Sequence, residues 1–145
     1  MKVEFVISVE GVPKGRPRLT RSGHAYTPAK TKKFETLVAK CARFAMSRHG
    51  AYPIEGAPVA VSLLFYYEPP TSWSKRRKLE VIEKGAVPKF TKPDTDNLEK
   101  AVLDGMNGIV YKDDALISTL VSSKLYSYVN GNSVHVCVST IEEDA

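Results

Sequence analysis

A chain of 145 residues with 43% hydrophobic and 26% charged side chains has the make-up of one globular domain, residues 1–145, able to bury a core without disulfides. That composition excludes a disordered or collagen-like chain, and no run approaches the ~20 apolar residues of a membrane span, so no membrane partner is expected. The net charge of +5 is unevenly spread: residues 11–50 hold ten Lys/Arg against the single Glu35, and residues 71–92 hold seven against Glu80 and Glu83. Basic segments of this density suit a polyanionic partner.

Val3, Phe5, Ile7 and Val9 alternate with other residues, the period of a strand with one buried face. The opening Met1-Lys2-Val3-Glu4-Phe5-Val6-Ile7 is too short and too acidic for a signal peptide. Gly11 to Tyr26 is rich in Gly, Pro and Arg and carries a Ser22-Gly23 turn signal, which predicts an exposed loop or short hairpin. Thr27-Pro28 then predicts a helix start, with Thr27 as N-cap and Pro28 at the first helical position. Phe34, Leu37, Val38, Cys41, Phe44 and Ala45 recur at helical spacing, so one apolar stripe is expected on a helix ending near Gly50.

Val59, Val61, Leu63, Phe65 and Tyr67 give a second strand, closed by Pro69-Pro70. Ser72 or Ser74 can cap a short basic helix from Lys75 to Lys84, with Gly85 past its end. Pro88 to Pro93 is expected to be extended. Asp96 then caps a third helix reaching Asn107-Gly108, with Leu98, Val102 and Met106 inward and Asn97, Lys100 and Asp104 on the opposite face. Leu116 to Tyr128 reads as a strand, Asn130-Gly131 as a tight hairpin turn, and Val134, Val136 and Val138 as the inner face of a last strand. The order strand, helix, strand, helix, helix, strand, strand implies a mixed α/β sheet of about four strands flanked by two to three helices. Cys41 and Cys137 sit in apolar patterns and read as buried thiols, which points to the cytoplasm.

Five of the six aspartates fall between Asp94 and Asp114, and none precedes residue 94. Such crowding raises repulsion unless a cation neutralises it. Asp94 and Asp96, two apart in an extended segment stiffened by Pro93, point to the same side. The Asp113-Asp114 doublet follows the third helix, and the chain could return it towards the helix start. Three or four carboxylates around one point suit Mg²⁺ or Mn²⁺, which can activate a water and stabilise charge on a phosphodiester. Lys100, one turn into the helix, is placed to orient that water or neutralise an oxyanion.

Blander readings account for part of the window. Asp96-Asn97-Leu98-Glu99 is also a capping box, and Lys100 with Asp104 an i, i+4 ion pair. Neither explains Asp94 or the doublet. An EF-hand loop fails, because Leu98 holds the next ligand position and the required Gly is missing. His24, His49 and His135 share no metal-ligand spacing with either cysteine, so a zinc site is not expected. The loop Lys14-Gly15-Arg16-Pro17-Arg18 lacks P-loop spacing and suits phosphate contact instead. Trp73 beside Lys75-Arg76-Arg77 can either stack on a base or anchor its helix into the core.

The run Lys92-Pro93-Asp94-Thr95-Asp96-Asn97-Leu98-Glu99-Lys100, followed by Asp104-Gly105 and Lys112-Asp113-Asp114, resembles the signature of RusA-type Holliday junction resolvases. Arg16-Pro17-Arg18, and Tyr26-Thr27-Pro28 before a long basic helix, resemble its upstream part. The resemblance spans Val3 to the final strand. It implies a small mixed α/β homodimer that cuts four-way DNA junctions with Mg²⁺ or Mn²⁺. It also implies that Asp94, Asp96 and Asp114 are the essential acids, Lys100 the essential lysine and Asp113 a lesser metal ligand. Lys14, Arg16, Arg18, Arg21, Lys30, Lys32, Lys33, Lys75, Arg76, Arg77 and Lys92 are then the candidate DNA contacts. The Trp73–Gly85 segment looks like an addition found in phage and prophage members. Three functions remain to be separated: a junction or broader branched-DNA endonuclease, a non-catalytic junction-binding module, and an enzyme that handles a metal–nucleoside phosphate.

Overall fold

The alternation of Val59–Tyr67 buries Val59, Val61, Leu63, Phe65 and Tyr67 on one side, and this strand forms the centre of the sheet. The computed structural model describes residues 1–50 and 52–142. Five strands, β1 (Lys2–Ile7), β4 (Val59–Tyr67), β5 (Val87–Pro88), β6 (Ile117–Tyr126) and β7 (Ser133–Thr140), form one sheet in the order β1-β7-β4-β6-β5. A separate hairpin, β2 (Arg18–Leu19) with β3 (Ala25–Tyr26), turns at Gly23 (φ 85°). The helices are α1 (Ala29–Arg48), α2 (Lys75–Lys84) and α3 (Thr95–Met106). The mixed α/β architecture expected from the pattern is therefore present, with one more strand in the main sheet than predicted.

The connection after β6 departs from expectation. β7 does not fold back on β6 as an Asn130-Gly131 hairpin would require. It passes over and pairs antiparallel with both β4 and β1, while β6 pairs parallel with β4 on the other side. The reason lies in the side chains: Val134, Val136 and Val138 are all buried, and a central position covers them better than an edge would. Leu116 opens the segment as part of a 3₁₀ turn over Asp114–Leu116 instead of a strand.

α1 and α3 lie on the buried face of the sheet. α1 starts one residue later than predicted, with Pro28 as N-cap and no side-chain cap bond. Its stripe is also rotated. Thr31, Phe34, Val38, Ala42, Ala45 and Met46 face the core, whereas Phe44 stands 68% exposed and Cys41 is only half-buried. Cys137 is likewise half-buried, so neither thiol is fully enclosed. Gly105 sets the distance between the two helices. A Cβ there would sit 2.7 Å from Val38 Cβ and 3.1 Å from the Glu35 carbonyl oxygen.

The two sheet edges differ. β1 is an edge strand whose exposed positions include Lys2 and Glu4, charges of the kind that discourage further pairing. On the opposite side β5 covers only the last residues of β6, pairing Val87 with Tyr126 and Pro88 with Leu125. Ile117 to Ser123 thus have a strand neighbour on the β4 side alone. Among the described residues no helix is long and apolar enough to cross a membrane.

Candidate functional site

Helix α3 carries the acidic window, and its two ends hold different carboxylates. At the N-terminal end, Lys124 of β6 donates to the carbonyl oxygens of Thr91 (2.6 Å) and Pro93 (2.7 Å), fixing the chain just before the helix. The Lys92–Pro93 peptide is cis. Asp94, not Asp96, occupies the N-cap position, yet its carboxylate makes no cap bond. It accepts from Lys92 Nζ at 2.7 Å, and that hydrogen bond with the lysine's charge holds the carboxyl below the usual carboxylate range. Asp96 stands exposed in the first turn with Oδ1 accepting from the Asn97 amide at 3.0 Å. A carboxylate in the first turn of a helix is favoured by the exposed N–H groups there.

At the other end, Asn107 closes α3 and its Oδ1 accepts from the Asp114 amide at 3.1 Å. Tyr111, fully buried, donates its hydroxyl to the Leu103 carbonyl at 2.7 Å, so the returning chain is pinned beneath the helix end. Asp113 Oδ1 accepts from the Ala115 amide at 3.0 Å, a bond that pulls its carboxyl down. Asp114 moves the opposite way: neighbouring Asp113, a small burial cost and the charge of Asp104 push it up. Asp104 itself pairs with Lys14 at 3.0 Å, and Lys14 also donates to Glu35. The expected Lys100–Asp104 pair does not form, because Lys14 reaches Asp104 from the loop over α3. Lys100 stays exposed.

The expectation that the doublet folds back to the helix start is overturned. Thirteen residue steps of 1.5 Å separate the N-cap Asp94 from the C-cap Asn107, about 20 Å along the axis. Asn107 and Tyr111 hold the doublet at the far end. Among the described residues of one chain, no three His, Cys, Asp or Glu side chains come together as metal ligands. Asp94 and Asp96 lie at the N-terminal end of α3, and Asp113 and Asp114 at its C-terminal end. The donor chemistry of each half, carboxylate oxygens exposed to solvent with no thiol or imidazole beside them, fits a hard divalent cation.

The basic groups divide in the same way. A groove of about 1110 Å³ between Val9–Pro13, α1 and Pro93 has a largely apolar lining that includes Lys30, Lys32, Lys33, Lys40 and Lys92, and it reaches Lys92 and Pro93, which precede Asp94. Arg16, Arg18 and Arg21 are exposed on and beside the β2–β3 hairpin, and Lys75 and Arg76 on α2. Lys14 is the exception. Its side chain is only 17% exposed and is committed to Glu35 and Asp104, so it braces the site instead of offering a surface contact. Arg77 lies over the Trp73 ring at 3.7 Å, and Trp73 meets Tyr126 edge-on at 4.6 Å. The indole is thus the anchor of α2, whose N-cap is Ser74 accepting from the Arg77 amide.

Sequence reasoning missed three supporting residues. Glu35 carried a signal, being the single acid among ten basic residues, and it is the partner of Lys14. Asn107 and Lys124 carried none, since their roles depend on the return of the chain beneath α3 and on the placing of β6 beside the acidic segment.

A family model described as endodeoxyribonuclease RusA matches residues 9–138. The chain is also 40% identical over 129 residues to the uncharacterized protein YqaN of Bacillus subtilis strain 168, an alignment covering 86% of this chain and 88% of that one.

Proposed function

The chain belongs to the RusA endodeoxyribonuclease family, and on that premise we propose that it resolves four-way DNA junctions as a dimer, using Mg²⁺ or Mn²⁺ in the cytoplasm. The observation that carries this reading is the acidic pair Asp94 and Asp96, exposed at one end of α3 next to Lys92 and Pro93, which line a lysine-rich groove. Asp94 and Asp96 would hold the ion at the N-terminal end of α3, and Asp114 with Asp113, at the other end, are the further acids that family membership implies. A divalent cation at these carboxylates would supply an activated water and positive charge beside the scissile phosphate.

The chain's own groups do the rest. Lys92 and the lysines of the groove hold phosphates without reading bases, and Arg16, Arg18, Arg21, Lys75 and Arg76 extend the contact. Lys100 donates to the phosphate oxygen that gains charge or to the attacking water. A two-fold dimer presents one site to each of the paired strands of a junction, which accounts for symmetrical cutting.

The test is a nicking assay on a labelled four-way junction and a linear duplex, with and without Mg²⁺. Asp94→Asn and Asp96→Asn are expected to lose cleavage by at least a thousandfold, on the order of 4 kcal/mol, while retaining junction binding. Binding should weaken steeply with salt, as phosphate contacts require. Full cleavage by Asp94→Asn, or cleavage of the linear duplex alone, would overturn the proposal. Junction binding with no nicked product from the wild type would leave a binding module.

A further inference from the structure

We infer that Phe90 selects branched DNA by stacking on the base exposed at the branch point, while Asp94, four residues further on, serves the strand to be cut. The inference rests on the nuclease reading for its substrate. The placing of the ring rests on the structure alone.

Phe90 stands 84% exposed on the segment that joins β5 to α3. A single exposed apolar side chain is ordinary on a protein surface. This one differs because the extended chain around it is inverted. Neighbouring side chains of an extended segment point to opposite sides. Here the inward position goes to Lys89, whose amine lies 5.2 Å from the centre of the Tyr67 ring and 4.8 Å from that of Tyr126. The phenyl ring takes the outward position, where folding does nothing to remove it from water. A local rule broken in this sense, lysine in and phenylalanine out, is expected where a position serves function.

The ring is also carried on a fixed support. The Lys89 amide donates to the Lys124 carbonyl at 2.9 Å, and Lys89 Nζ donates to Tyr126 Oη at 3.0 Å and to Thr91 Oγ1 at 2.7 Å. Lys124 Nζ holds the Thr91 and Pro93 carbonyls. Phe90 thus sits between two residues that are tied to β6. A rigid aromatic with two side-chain torsions loses little entropy when it meets a flat partner. Four residues of chain span at most about 14 Å, the length of about four nucleotides of one strand, so a single strand can touch both Phe90 and Asp94. Lys92, exposed between them, supplies positive charge that attracts its phosphates.

The chemistry favours a branch over a continuous duplex. In a duplex every base pair has a neighbour on each side, and inserting a side chain costs the energy of unstacking. At a branch point the stack is already interrupted. A ring can fill the missing place without that cost, and stacking on an aromatic face tolerates any base. An isolated ring beside lysines also suits a base better than a protein partner, whose contact surface is broad and poor in lysine.

The test needs no cleavage and is run without metal. A four-way junction carrying 5-iododeoxyuridine next to the branch point is bound by the wild type and irradiated. The cross-link, located by mass spectrometry, should fall on Phe90, and the same label in the middle of an arm should give none there. In parallel, the preference for the junction over a linear duplex is measured for Phe90→Ala and Phe90→Trp. Alanine should lower it about tenfold, equal to about 1.4 kcal/mol, and tryptophan should restore it. An unchanged preference in Phe90→Ala, or a branch-point label that does not cross-link to Phe90, overturns the inference. So does a loss of preference that accompanies a change of oligomeric state in light scattering, which would make the ring a contact between copies. A wild type with no preference for the junction overturns the stacking and the proposed function together. A wild type that prefers the junction, cross-links through Phe90 and nicks nothing with Mg²⁺ removes the nuclease reading and leaves the stacking standing.

Discussion

Lys124 Nζ donates to the Pro93 carbonyl at 2.7 Å, so a residue near the end of β6 fixes the peptide that leads into Asp94. Burial, then the neighbouring amine of Lys89, draws this lysine below its ordinary value. Lys124→Met keeps the stem of the side chain but frees the Thr91 and Pro93 carbonyls. The expected outcome is a loss of about 1 kcal/mol of stability, from hydrogen bonds that water partly replaces. Cleavage should fall tenfold or more, because Asp94 loses its fixed approach. Chemical denaturation and junction-nicking rates measured on the same preparation check both expectations.

Lys14 braces the other end of α3 by bridging Glu35 on α1 and Asp104. Burial pulls its amine down, but the two carboxylates outweigh that and the net shift is upward from 10.5. A lysine raised in the folded state adds stability below its unfolded value and loses it as pH rises through the folded one. Lys14→Met should therefore be destabilised by about 2 kcal/mol at neutral pH, because two partly enclosed carboxylates lose their counter-charge. The gap between wild type and variant should close above pH 10.5. Urea unfolding at several pH values reads this difference directly.

Asp114 behaves in the opposite sense. Asp113, with help from Asp104, raises its carboxyl, so ionising it disfavours the metal-free fold. The penalty is absent below the ordinary carboxylate range and complete once pH exceeds the raised folded value. Asp114→Asn should abolish cleavage and yet melt slightly higher than wild type at neutral pH without metal. That advantage should vanish as the pH falls below about 4. Added Mg²⁺ or Mn²⁺ should raise the wild type more than the variant, which a thermal-shift titration would show.

How much of this was legible in the sequence varies with how local the cause is. Ser74 and Gly85 bracket α2 at the positions expected, because caps are read from neighbouring residues. The alternation of Val59–Tyr67 made β4 plain for the same reason. Asn130-Gly131 suggested a hairpin, but the burial of Val134, Val136 and Val138 drew β7 to the far side of β4, and turn chemistry does not encode that choice. Phe44 fitted a helical stripe and still points to solvent. The buried face keeps Phe34, Val38 and Ala45 and adds Thr31, Ala42 and Met46, of which Thr31 is polar and Ala42 small and so neither stands out in an apolar pattern. The acidic residues were all visible as a group. Their division was not, because it depends on Asn107 and Tyr111 holding the doublet at the end of α3.

Trp73 is the chain's single tryptophan, and its ring lies between Arg77 and Tyr126. The molecule therefore contains its own optical probe. Its emission reports on one place, the junction of the basic helix with the strand that reaches the acidic end of α3. A phosphate that draws the Arg77 guanidinium off the indole should change intensity and wavelength together. Unfolding of α2 alone would shift the spectrum to the red before the sheet is lost. DNA engagement by this helix can thus be followed in real time, without a label.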